Sequence, residues 1–511
     1  MRLTPFKSTY GTDEKRITHL SAIATLVWPQ DRARRFLSVL LLLFILKQML
    51  LVLVFPPFTG HDEVAHFSYI RSIATEHRIP VIPELDEWRA AIDAGTKPPG
   101  DYFDNDLYPY CRYTLDWLCA PEYGPWAEKP PHAIGDLFPS GWQYAANHTP
   151  LYYILAAPFY RLTDGIGLGV QLRLLRLLAI PFGMLMVFGT YLIARTLFPR
   201  SGFIAIAAAT FIAFQPQLSY EAAMVNNDIT VIGIGAVFLA LLLRGMRDRF
   251  PWRLTFWLGV LLGVMFLFKS TAIVFAGLTA IAMIVGIGPR QFKTWIPRGA
   301  TVAAIALGMA SPWYFFLYRT YGNFDALDQV AALQDRWTYP PGEAPTVFSQ
   351  LFSGEFVASR WNEIWGQFGW RRIPLDAIML WIIGVACIFC AVGLVFYAVR
   401  LVTQRRMERV DGSVDHPVAW QLWGMGLLLL ATIVGYAAIL QFGLRFRLTQ
   451  ARYFFPVMPA ITVLFAIGLR MLIPERYRLY GQVALVAIMI GFNVYLYSAY
   501  VIPYWHTGPA R

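Results

Sequence analysis

Two adjacent carboxylates bracketed by histidines stand in the stretch Thr59-Gly60-His61-Asp62-Glu63-Val64-Ala65-His66-Phe67, directly after the first long apolar run and behind a Pro56-Pro57 stop. A carboxylate in such a place can act as a general base or hold a metal ion. On a helix, adjacent side chains diverge by about 100°, so one of Asp62 and Glu63 aims at a given atom while the other orients the site. The plainer reading, a solvated interface pair, is less attractive because the acids follow a span immediately and lie between His61 and His66. Asp62 and Glu63 are therefore the catalytic candidates, and His61 and His66 are candidate substrate contacts. The run resembles the zinc-protease pattern H-E-x-x-H but fails on spacing. Zinc histidines sit four apart on one helix face; here they are five apart, about 140° out of register. Glu63 and His66 are three apart, but no second E-x-x-H completes a di-iron set.

Other polar groups lie at the ends of apolar runs. Asn226-Asn227-Asp228 opens one, with Glu221 just before it. Asp228 fits two roles: a helix N-terminal acid, or a second acid that faces Asp62 and shares a divalent cation. Phe268-Lys269-Ser270-Thr271 joins two runs, and Lys269 either snorkels or binds phosphate. Residues 441–453 contain Arg445, Arg447 and Arg452. Arginine suits a phosphate because its planar fork makes two hydrogen bonds at once, so these three are candidates for an anionic lipid head group. In 359–370, Glu363 and Asn362 lie among tryptophans, which serve either as interface belt residues or as surfaces for a sugar ring.

The elements that must position these groups are membrane spans. The 511 residues are 57% hydrophobic and only 15% charged, against about 25% charged in ordinary soluble chains. The net charge of +11 comes from short basic clusters between apolar runs, a pattern of membrane orientation and not of nucleic-acid binding. A span needs about 20 apolar residues. The first is 36–55, preceded by a basic segment that puts the N-terminus in the cytoplasm. The apolar piece 151–162 would reach only about 18 Å as a helix, so it is expected to be juxtamembrane or re-entrant. Further spans are expected at 173–197, 202–219, 229–243, 254–269, 271–288, 299–318, 375–400, 419–441, 454–473 and 479–499. With 151–162 not crossing, every cytoplasmic connection is basic; if it crossed, all those clusters would move outside. Arg173 and Arg176 break the pattern and require partners near the outer face.

This arrangement predicts an all-α polytopic membrane protein of about eleven spans, with large extracytoplasmic loops at 56–149 and 321–374. The parts are a cytoplasmic segment 1–35, a catalytic transmembrane module 36–320, the second outer loop 321–374 and a C-terminal transmembrane module 375–511, with the C-terminus outside. Within the first loop, 64–77 suits an interfacial helix with Phe67, Ile70, Ile73 and Ala74 on one face. Cys111 and Cys119, in the same loop, are candidates for a disulfide, whereas Cys387 and Cys390 lie in an apolar run and suit packing. The spans are nearly free of acids, which disfavours an ion-coupled transporter.

Taken in order, these motifs resemble the GT-C superfamily of membrane glycosyltransferases, and most of all a bacterial polytopic family long catalogued as a domain of unknown function. The residues that carry the resemblance are Asp62-Glu63 with Ala65-His66-Phe67, His148-Thr149-Pro150-Leu151-Tyr152-Tyr153, Gln215-Pro216 through Asn227-Asp228, Phe268-Lys269-Ser270-Thr271, Trp365-Gly366-Gln367-Phe368-Gly369-Trp370, and Ala451-Arg452-Tyr453. Thr149-Pro150 stands where many relatives show two prolines. The resemblance implies a GT-C-like fold with juxtamembrane helices, a catalytic acid in the first outer loop and a polyprenyl-phosphate sugar donor. It also implies a bacterial inner-membrane location with the site extracytoplasmic. His148 joins the substrate-binding candidates with His61, His66, Lys269, Glu363, Arg445, Arg447 and Arg452. Some members use a divalent cation, Mg or Mn, and others do not; Asp228 is the candidate ligand. The expected reaction is inverting transfer with Asp62 as base, to a glycan, lipid or protein acceptor among membrane lipids and without nucleic acid. The alternatives are a transporter or flippase, or a polymerase or ligase, of lipid-linked glycan.

Overall fold

A computed structural model describes residues 32–82, 90, 94, 144–333, 338–340, 342–404, 411–447 and 449–506. Cys111 and Cys119 lie outside the described residues. Nine of the described helices are long and apolar enough to cross a membrane: α1 (Arg32–Val54), α4 (Leu168–Leu197), α7 (Asp228–Asp248), α9 (Ser270–Ile287), α10 (Phe292–Tyr321), α12 (Ala377–Thr403), α13 (Ala419–Gly443), α14 (Ala451–Leu472) and α15 (Glu475–His506). Two further apolar helices, α5 (Gly202–Ala213) and α8 (Trp252–Phe268), fall among the eleven expected spans but are shorter. They reach about 18 and 26 Å. The expected span 202–219 breaks because Pro216 disfavours helical backbone at Gln215. Gln215 is extended, and a short helix α6 (Pro216–Glu221) follows. The remaining elements at the site are α2 (Glu63–Glu76), α3 (Leu151–Leu162) and α11 (Gly354–Trp365).

The centre of the body is α7, buried along most of its length and packed most extensively on α4. Glycine permits that approach: a Cβ on Gly233 would collide with the carbonyl of Phe182. The same device brings α12 onto α14, where a Cβ on Gly468 would strike the Cys390 carbonyl. Small residues at helix crossings let backbones meet where no hydrophobic gradient drives them together. At the periphery, α12 exposes Ile378, Trp381, Ile388, Phe389 and Val402, the surface a spanning helix turns to lipid.

Helix α3 is a short element packed on α2, as its length requires. Helix α2 differs from the amphipathic surface helix expected. Every residue from Glu63 to Ile70 is buried, so both faces are enclosed and the polar ones need partners inside the body. Among described residues the helix ends segregate. The starts of α2, α7 and α14 and the end of α8 meet in one cluster. Arg400, Asp415 and Arg470 form another, with Asp415 2.7 Å from Arg470 and 3.4 Å from Arg400.

Candidate active site

Asp62 is the residue just before α2, and its backbone is left-handed, with φ of 54°. Aspartate tolerates this region better than most residues. Its carbonyl accepts the first helical hydrogen bond, from the His66 N–H at 3.0 Å. Its side chain does not cap the helix. The carboxylate is paired instead with the Arg452 guanidinium, 390 residues away in sequence. Arg452 also lies 3.6 Å from Asp228 Oδ2, beyond hydrogen-bond reach. The other Asp228 oxygen is 2.6 Å from Lys269 Nζ, and Lys269 also donates to Asn227 Oδ1 at 3.3 Å. Two acids and two cations thus interleave in a buried cluster. Several of its polar atoms have no hydrogen-bond partner among the described residues: Arg452 Nε and Nη1, Asp228 Oδ2 and Glu221 Oε2.

Glu63 is built differently. Its carboxylate accepts from Arg176 Nε at 2.8 Å and Nη2 at 2.7 Å, from the Val225 N–H at 3.0 Å and from the Gly60 N–H at 3.1 Å. Arg176 in turn donates to the carbonyls of Phe55 and Pro56, each at 2.7 Å, satisfying the end of α1. Neither side chain is exposed. This pair welds α1, α2, α4 and the approach to α7 together. Gly60 is required there, since a Cβ would lie 2.9 Å from Met224 Cβ and 3.0 Å from Glu63 Cδ.

The histidines hold the surrounding shell. His61 Nδ1 lies 2.8 Å from Glu221 Oε1. His66 Nδ1 lies 2.8 Å from the Tyr153 hydroxyl, which is also 3.2 Å from His148 Nδ1. Burial holds His66 down at about 3, with Asp62 partly opposing and Lys269 and Arg452 reinforcing the shift, so the ring is neutral at ordinary pH. His148 is also held well below its usual range, by burial and then by Lys269.

Of the residues singled out in the sequence, Asp62, Asp228, Lys269 and Arg452 meet directly, and His66 and His148 adjoin them. Arg445 and Arg447 do not join them. Arg445 pairs at the surface with Asp328 at 2.5 Å, and Arg447 lies 3.8 Å from Glu343. Both stay at the surface, whereas Arg452 is buried. Glu363 binds Arg360 at 2.9 Å, Arg371 at 2.5 Å and the Ala451 N–H at 2.7 Å, docking α11 against the start of α14. A narrow cavity beside Arg452 is lined by His61, Gln217, Glu363, Gln367, Arg371 and Gln450. The part of Tyr153 in this arrangement was missed by sequence reasoning, and Arg176 was marked as needing a partner near the outer face without Glu63 being named. The signal for Arg176 was its departure from the charge pattern of the loops.

No group of three His, Cys, Asp or Glu side chains is gathered closely enough to hold a divalent cation among the described residues. Asp228, the candidate ligand, faces Lys269 and Arg452.

The chain belongs to the DUF2142 family of predicted membrane proteins, which matches residues 41–461. None of the curated proteins is detectably similar in sequence. Among solved structures, the chain is similar to ArnT from Cupriavidus metallidurans bound to undecaprenyl phosphate, at 17% identity over 93% of this chain and 66% of that one, with a TM-score of 0.48. It is similar also to the Archaeoglobus fulgidus oligosaccharyltransferase in complex with zinc and sulfate, at 13% identity over 91% of this chain and 53% of that one, again with a TM-score of 0.48. The chain therefore spans just under two thirds of the first and about half of the second.

Proposed function

We propose that this protein is a membrane glycosyltransferase that moves a sugar from a polyprenyl-phosphate donor to an acceptor hydroxyl at the outer face of a bacterial inner membrane. The observation that carries the reading is the Asp62–Arg452–Asp228–Lys269 cluster. It joins an acid on a strained backbone to two buried cations, one of which has unused donors. Strained non-glycine backbone persists where the surrounding structure over-determines it, and such positions concentrate at functional sites.

In this reading Arg452 keeps Asp62 in place through Nη2 while Nε and Nη1 take the donor phosphate, and Lys269 supplies a second positive charge. Asp62 accepts the proton of the acceptor hydroxyl as that oxygen attacks the anomeric carbon. The bond between the anomeric carbon and the phosphate oxygen breaks on the opposite side, the configuration inverts, and the electron pair leaves on polyprenyl phosphate. Arg452 and Lys269 face the charge that develops on the leaving phosphate, where fixed cations in a dry site act most strongly. Asp228 holds Lys269 and Arg452 in position between turnovers. Glu63 shapes the loop through Arg176, and Glu363 positions the backbone that precedes Arg452.

The direct test is transfer by the purified protein in vesicles, using polyprenyl-phosphate sugars and acceptor extracts, with the product anomer read by NMR. An inverted linkage is expected. Retention of configuration would sink the single-displacement mechanism. Movement of intact lipid-linked glycan across the bilayer without transfer would replace the reading with a flippase. Comparing glycolipid extracts of a deletion strain and its parent would identify the sugar and the acceptor.

A further inference from the structure

A row of hydrogen-bonding groups leads away from Asp62. His66 and Tyr69 are three apart on one face of α2, and Asp62, the residue before the helix, accepts the His66 N–H at 3.0 Å through its carbonyl. His66 is completely buried, and its Nε2 has no hydrogen-bond partner among the described residues. The charged groups acting on its ring are Asp62, Lys269, Arg452 and Asp228. On its other side, Nδ1 meets the Tyr153 hydroxyl at 2.8 Å, and that hydroxyl meets His148 Nδ1 at 3.2 Å. Tyr69 fixes the middle member by stacking on Tyr153, with ring centroids 3.8 Å apart and planes 9° apart, and by donating to the His148 carbonyl at 3.2 Å. His148, at the far end, is half-buried. The row thus runs from the enclosed cluster to a group with access to the surface.

One hydroxyl carries one proton. Tyr153 can donate to one Nδ1 only and must accept from the other, so the two neutral imidazoles hold opposite tautomers. We propose that His66, Tyr153 and His148 form a proton relay that links Asp62 to outside water, taking a proton out during transfer and returning one to the departing phosphate. The proposal rests on the glycosyl-transfer reading above.

Before transfer, His66 Nδ1–H donates to the Tyr153 oxygen, Tyr153 O–H donates to His148 Nδ1, and His66 Nε2 keeps its lone pair. The proton leaving the Asp62 carboxyl adds to His66 Nε2. The His66 Nδ1 proton passes to Tyr153, the Tyr153 proton passes to His148 Nδ1, and His148 releases its Nε2 proton to water. One proton enters, one leaves, and no bond between heavy atoms changes. Concerted movement spares the buried His66 from holding a positive charge. The row resets when the departing phosphate monoester takes the His66 Nε2 proton and His148 regains one from water, the same shifts running in reverse.

The test uses the full chain in lipid nanodiscs. Tyr153→Phe keeps the ring and its stack but removes the hydroxyl. It is expected to lower kcat by roughly 10²-fold, with the donor KM unchanged and an altered solvent deuterium isotope effect. His148→Ala is expected to lose rate in the same way and to regain it with imidazole in the buffer, because that end is accessible. The double variant is expected to be no slower than the slower single one. Independently of activity, ¹⁵N NMR of labelled histidine is expected to show opposite tautomers for His66 and His148 in the wild type, lost in Tyr153→Phe. A wild-type rate in Tyr153→Phe, or matching tautomers in the wild type, overturns the relay while leaving the transfer reading intact. A wild-type protein that transfers from no polyprenyl-phosphate sugar overturns the transfer reading, and the relay loses its proton source whatever the tautomers.

Discussion

Asp62 and Glu63 are neighbours in sequence, both buried and both paired with an arginine, yet they sit in regions built on opposite principles. Around Glu63 every donor and acceptor is used: four N–H groups converge on the carboxylate, and Arg176 spends its remaining donors on the end of α1. Around Asp62 the pairing is incomplete. Arg452 Nε and Nη1, Asp228 Oδ2 and, one shell away, His66 Nε2 lack hydrogen bonds among the described residues. A buried charge that is fully satisfied fixes geometry. Buried polar atoms left unsatisfied cost about 1–3 kcal/mol each, and a fold keeps several of them together where a ligand supplies what is missing. The difference separates a brace from a site, although only one peptide bond lies between them.

The sharpest way to break this contrast is to change each side in turn. Asp62→Asn is expected to reduce transfer by roughly 10²–10⁴-fold, the range for loss of a general base, while unfolding stays cooperative. Full activity in a folded Asn variant would remove Asp62 from the chemistry. Arg176→Met leaves Glu63 buried and unpaired, and is expected to cost about 3–5 kcal/mol, read as a lowered thermal transition in detergent. Adding Glu63→Gln should recover part of that loss, because the stranded charge is gone. Arg452→Gln removes the cation facing the leaving phosphate, and roughly 10²–10³ in kcat is expected to go with it. An unchanged kcat with a raised donor KM would confine Arg452 to ground-state binding.

The pH profile of stability sharpens the same comparison. His66 is neutral in the folded protein down to about 3, while the unfolded ring takes its proton near 6.5. Between those values the unfolded chain binds more protons, so stability falls as pH falls through the window. At pH 5 the loss is about 2 kcal/mol relative to neutral pH, and His66→Gln is expected to flatten the curve by that amount. The smallest effects are expected at Arg445 and Arg447. Their partners are exposed, so replacing either arginine by Ala should change stability by about 0.5 kcal/mol or less and leave transfer within a factor of two or so. A large loss in either variant would show that the site extends beyond the buried cluster.

Much of the architecture was legible because hydropathy is local and additive. The burial of apolar side chains over a window of residues marks each span. Helix α3 was identified as too short to cross from its length alone. Arg176 was flagged as a charge on the wrong side in need of a partner, though Glu63 as that partner was not. The enclosure of α2 was not legible either. Its apolar face suggested a helix lying on a surface, but its polar residues find partners on α3, α4 and α14, and those partners are set by packing.

The sequence by itself determined that this is a polytopic helical membrane protein with its acids gathered at helix ends, and it singled out Asp62 within a few residues. Only the tertiary structure decided the pairing. Three arginines lie within eight residues of one another, and 390 residues of chain separate Asp62 from the one it meets. Glu363 anchors the Ala451 N–H beside the buried Arg452, whereas Arg445 and Arg447 stay at the surface. Adjacent carboxylates met opposite fates for a related reason. Asp62 stands before the first turn on left-handed backbone while Glu63 opens the helix, so the two side chains face different neighbours, and which neighbour is there depends on helices distant in sequence. Local patterns report the energy of leaving water. Whether a charge finds one partner or four is a property of the whole packed body.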